Sequence, residues 1–154
     1  MTLSQCTHLI ENVAAVQPSV NMIVRNDIFR LNTIADVRYG VFAWLQGRHT
    51  ADTESDFVRY RYTFFYVDRL TADHSNELEV QSVGINTLGN IVRRLAELGV
   101  YADGEIDFQT FNQRFVDECA GVYSTITLEV PADELCGEVF GDFNGDFSDD
   151  FLIL

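Results

Sequence analysis

The sequence predicts an α+β fold: a mostly antiparallel β-sheet packed with an N-terminal helix and one long central helix, with an extended C-terminal arm. Three observations predict it. Phe57 to Leu70, FVRYRYTFFYVDRL, is the longest run of β-formers and alternates with a period of two. Glu77 to Leu98 carries apolar residues at helical spacing for roughly six turns. Apolar residues make up 47% and aromatics 12% of 154 residues, enough to build the core of what is most simply one domain.

In chain order, Leu3 to Val16 reads as the first helix, with Leu3, Cys6, Leu9, Ile10, Val13 and Val16 on one stripe. Thr2 or Ser4 can cap it, and Pro18 ends it. Met22 to Val24 and Ile28 to Leu31 are strand-like, separated by a break at Arg25-Asn26-Asp27. Val37 to Gln46 alternates as a strand with apolar groups on both faces. Gly47 to Asp56 is polar and unpatterned, a hairpin loop longer than a tight turn needs, of the kind that is mobile or makes contacts outside its domain.

In the central strand, Val58, Tyr60, Tyr62, Phe64 and Tyr66 form a face that can be wholly buried. The other face begins basic, with Arg59 and Arg61, and ends apolar at Phe65 and Val67, so it is expected to be half covered. Thr71 to Glu77 is a turn with capping chemistry at Ser75 or Asn76. The long helix follows, its stripe made of Leu78, Ile85, Leu88, Ile91, Val92, Leu95 and Leu98, with Gly84 and Gly89 permitting close packing and Gly99 as a stop. Glu105 to Val116 fits either period; a strand is preferred, running into an irregular turn over Asp117 to Gly121. Val122 to Val130 is a β-branched strand that Pro131 ends.

Residues 1–135 thus form the domain and 136–154, CGEVFGDFNGDFSDDFLIL, the arm. The arm is too short for a core and too apolar for a solvated tail, so it is expected to dock on another chain or subunit and to order when bound. Asp142, Asn144, Asp146, Ser148 and Asp150 alternate like the first ligands of a calcium loop. The pattern then fails, with Phe147 at the glycine position and Ile153 where the last glutamate belongs, so an acidic docking arm is the expectation.

The formal net charge is −14, which excludes a broad basic surface for nucleic acid; such a chain repels DNA or lets it slide past. No apolar run is long enough to span a membrane, and the N-terminus lacks signal-peptide character, so synthesis in the cytosol is expected. Cys6, Cys119 and Cys136 are read as free thiols, Cys119 as a buried structural one. His8, His49 and His74 are scattered, so neither a catalytic constellation nor a cofactor is expected. Arg59 and Arg61 are expected to pair with acids inside the fold rather than with a neighbour's tail.

The runs YRYTFFYVDRLTADHSNELEVQS, INTLGNIVRRL and FNQRFVDECAGVYSTITLEVP with Cys136 resemble a family of small virion proteins in tailed phages of Bacteroidetes hosts, including crAss-like phages. The resemblance is to tail-terminator and head–tail connector proteins, and covers roughly Leu3 to Cys136. It implies a structural, non-enzymatic virion subunit that forms a ring of six or twelve copies around the DNA channel of the neck or tail. Adjacent neck, tail or portal-complex proteins are the implied partners, and DNA passes without sequence-specific binding. The candidate contact residues are Arg59 and Arg61 on the central strand, His49 and Asp52 in the long loop, and Phe140, Phe143, Phe147 and Phe151 in the arm. The alternative reading is a soluble, non-enzymatic adaptor, calcium-responsive through its acidic tail.

Overall fold

The structure is a computed structural model and describes residues 1–132. Helix α1 (Leu3–Ala15) starts with a capping box, in which the Thr2 hydroxyl accepts from the Gln5 amide and the Gln5 side chain accepts from the Thr2 amide. Strands β1 (Met22–Arg25), β2 (Val41–Gln46), β3 (Thr50–Ala51) and β4 (Phe57–Arg69) follow. Helix α2 (Glu77–Glu97) then precedes β5 (Gln109–Arg114) and β6 (Glu118–Pro131). Among the described residues the sheet has the order β1-β2-β4-β6-β5, with β3 also paired to β4. All its pairings are antiparallel except β1 with β2. This is the α+β class that the sequence predicts.

The run of β-formers at 57–70 lies at the centre of that order. β4 pairs with β6 from Phe57 opposite Pro131 to Arg69 opposite Cys119. Its even residues Tyr60, Tyr62, Phe64 and Tyr66 are buried against both helices, in a core with Phe42, Trp44, Leu88, Ile91, Leu95, Ile126 and Leu128. Phe64 meets Phe42 edge-on at a centroid distance of 5.3 Å. Tyr62 buries its ring and keeps its hydroxyl 3.0 Å from that of Thr7 on α1. Gly84 is what lets α2 come so close, since a Cβ there would meet Val122 Cγ2 at 2.9 Å and Tyr66 Cδ1 at 3.0 Å.

Glu11 of α1 carries its carboxylate into this layer, where the side chain of Arg25 donates to it at 2.6 and 2.8 Å and Trp44 Nε1 donates at 3.0 Å. Burial alone would raise the pKa of Glu11. The hydrogen bonds from Arg25 and Trp44, with the guanidinium charge, outweigh burial and hold it below the ordinary value of 4.5. A carboxyl depressed in the folded state stabilises the fold above its unfolded pKa, and that contribution fades as pH falls through the folded value. Glu11→Gln is expected to cost about 1–3 kcal/mol at pH 7, because the charge-assisted bonds weaken in a buried place. Urea midpoints at pH 7 and under acid check this: the loss shrinks on acidification. A constant difference at both pH values would remove Glu11 as the acid-sensitive group.

Several sequence expectations are corrected. Ile28–Asn32 is a 3-10 helix, not strand-like, because the Asp27 side chain accepts from the Phe29 amide and caps it. The strand expected from Val37 begins only at Val41: Gly40 has a φ of +67°, and a Cβ there would lie 2.1 Å from the Ser19 carbonyl oxygen. The loop at 47–56 is patterned after all, since Thr50 and Ala51 pair with Arg59 and Val58. Cys119 to Gly121, expected within an irregular turn, is ladder paired to both β4 and β5, and Glu118 pairs with Arg114 of β5.

In α2 the buried side is Val80, Gly84, Thr87, Leu88, Ile91, Val92 and Leu95. Leu78, Ile85 and Leu98 from the expected stripe are exposed, because they lie around the helix from the line that meets the sheet; Val16 of α1's stripe is exposed as well. At the start of α2, the Asn76 side chain makes no cap to the helix. It accepts from the Thr71 amide and donates to the Arg69 carbonyl, tying the turn to β4 instead.

Candidate functional site

The side of the sheet away from the helices divides in two. By register it carries Val41, Ala43 and Leu45 of β2, the odd residues of β4 and β6, and Gln109 and Phe111 of β5. At one end Val24, Val41, Ala43, Val67 and Cys119 are buried beneath Ile28, Leu31, Ile34, Val37 and Tyr39, which cross the face between β1 and β2, and beside Phe115. The cover is pinned by Tyr39, whose hydroxyl donates to Asp117 Oδ2 at 2.6 Å, while Arg69 meets the other oxygen at 3.3 Å. Burial and the Asp117 bond push the Tyr39 phenol well above its usual range.

Phe65 and Phe111 pack against the edge of this covered cluster, and beyond them the other half of the face has no such cover among the described residues. Phe65, Phe111 and Tyr123 form a half-buried aromatic cluster with centroids 5.8 to 6.3 Å apart. Tyr123 donates from its hydroxyl to Gln109 Oε1. Leu45, opposite Thr63, lies near the cluster and Phe57 at the far end of the same face, at 39% and 41% exposure. Arg59 and Arg61 lie between Phe57 and the cluster on the same face. Arg59 faces Glu129 across the strands at 3.7 Å, the pairing inside the fold that was expected. Arg61 sits opposite Thr127 and makes no ion pair among the described residues. Among the described residues the second face of the central strand is thus covered over only part of its length. Its covered end is the apolar one near Val67, and its open end runs from Phe57 to Phe65.

His49 and Asp52 serve the fold locally. His49 Nδ1 accepts from the Arg61 amide at 3.1 Å, and the ring stands edge-on to Tyr60 at 5.5 Å. Asp52 accepts from the Glu54 amide at 3.0 Å, a bond that helps hold its carboxyl below the usual range. His8 is exposed on α1, and His74 pairs with Glu118 at 2.5 Å, so the three histidines do not converge. Cys6 and Cys119 are buried free thiols; burial chiefly pushes each up to about 11, where it stays protonated at neutral pH. Among the described residues no group of three or more His, Cys, Asp or Glu could hold a metal ion. No helix among them is long and apolar enough to cross a membrane. Phe140, Phe143, Phe147, Phe151, Cys136 and the spaced residues Asp142, Asn144, Asp146, Ser148 and Asp150 lie outside the described residues.

On the helix side a groove of about 380 Å³ runs between α2 and residues 101–108, lined by Ile85, Gly89, Arg93, Tyr101, Ile106 and Phe108 among others. Its wall mixes these apolar side chains with Asn86, Asn90, Arg93 and Asp103. The aromatic cluster on the open face was missed from the sequence. Part of its signal was present in Phe65 and Tyr123, each an aromatic between two buried residues; Phe111 lies between the exposed Thr110 and Asn112 and gave no such signal. Comparison with protein-family models finds no match, and comparison with curated proteins finds none.

Proposed function

We propose that this protein is a structural virion subunit that assembles as a ring of six or twelve copies in the neck or tail of a tailed phage, around the DNA channel. The observation that carries the reading is the sheet's pair of outer strands. β1 and β5 stand at opposite ends of the strand order and take no further strand among the described residues. An edge on each side of one sheet is the geometry of a head-to-tail contact, which closes into a ring when its rotation closes. The resemblance of the central strand, its turn and the α2 sequence to connector and terminator proteins supports the same reading. A net charge of −14 suits a channel wall from which DNA must not stick.

In infected cells the protein is expected to sediment with phage particles. Reconstruction of those particles is expected to show closed rings joined through β1 of one subunit and β5 of the next. If the protein is recovered there only as a free monomer, the proposal fails.

A further inference from the structure

We propose that the open half of the sheet, from Phe57 to Phe65 with Phe111 and Tyr123, is the seat of this chain's own residues 136–154. The same subunit already covers the other half of that face with a segment outside the sheet, the residues between β1 and β2. The open half presents aromatic surface with a basic end. Residues 132–154 hold Phe140, Phe143, Phe147 and Phe151 together with Asp133, Glu134, Glu138, Asp142, Asp146, Asp149 and Asp150, and no Lys or Arg. Phenylalanines fit the Phe65–Phe111–Tyr123 cluster, and carboxylates fit Arg61, whose charge no described acid meets.

The connection is in the right place. The chain leaves β6 at Pro131, opposite Phe57, at the basic end of the open half, where the Ala132 amide donates to the Asp56 carbonyl at 2.7 Å. From Pro131 back to Tyr123 is eight strand residues, about 27 Å. An extended chain covers that span in about eight residues. Phe140 can therefore reach the cluster directly, and Phe143 and Phe147 can reach it after a reversal of direction. A tethered segment of this length meets its own sheet at an effective concentration of order millimolar, so modest contacts suffice.

The test uses the full chain with a photoreactive phenylalanine analogue, benzoylphenylalanine, in place of Phe143. Equal amounts of isotopically light and heavy protein are mixed and irradiated, and the cross-links are mapped by mass spectrometry. The expected result is cross-links to residues 45, 57–65, 109–111 and 123–127 within chains of a single isotope. Arg61→Glu is expected to lower their yield roughly two- to fivefold. Cross-links between light and heavy chains would assign the face to a second copy and overturn the proposal. Cross-links to the groove at Ile85 and Phe108, or none to the sheet, overturn it as well. A ring contact through β1 and β5 stands or falls separately, since it would use the outer backbone edge of β5 and not the face that carries Phe111.

Discussion

Gly121→Val is expected to destabilise the fold by about 3 kcal/mol or more, a large share of the roughly 5–15 kcal/mol that holds a domain together. Gly121 stands between β4 and β5. A Cβ there would lie 2.2 Å from the Tyr66 carbonyl oxygen and 2.7 Å from Phe111 Cζ. The ring can swing aside. The carbonyl belongs to the adjacent strand and moves only if the ladder moves. Equilibrium unfolding in urea checks this, and an unchanged midpoint would mean that the strands separate at little cost.

Phe64→Ala is expected to lose about 3–5 kcal/mol, whereas Phe65→Ala, one position along, is expected to lose far less. Phe64 is wholly buried, packed edge-on against Phe42 and beside Tyr62. Phe65 points to the opposite face, where it is half-buried with Phe111 and Tyr123. Measured side by side by thermal unfolding, the two substitutions read the two sides of the sheet directly. Equal losses would contradict the assignment of the open face.

That contrast also marks how far the order of the amino acids alone discloses the fold. The alternation of Phe57 to Leu70 identifies the central strand and its buried side, because a two-residue period admits one register against a core. The long helix is legible in the same way. Its outer stripe residues Leu78 and Ile85 are not told apart from Leu88 and Ile91, because apolar spacing gives a helix's face only to within a broad arc. Val37 and Tyr39 alternate like a strand, yet they lie across the sheet rather than in it; burial produced the pattern and Gly40 ended it. For the same reason the division of the second face could not be read. Which half is covered depends on where residues 27–40 cross, a fact of the connection between β1 and β2 and not of β4 itself.

The long β4–β6 ladder also biases where the folding chain first closes. Arg69 and Cys119 are the partners closest along the sequence, and α2 lies wholly within the loop they close. Closing that first pair carries nearly all of the entropic cost, since each later row lengthens the loop by only two residues. Closing the far pair first, Phe57 with Pro131, would span a loop longer by 24 residues at an extra cost of only about 0.3–0.4 kcal/mol. Loop closure therefore gives the end beside α2 a small head start, and α2, enclosed in that shorter loop, is on hand to pack against the first rows formed.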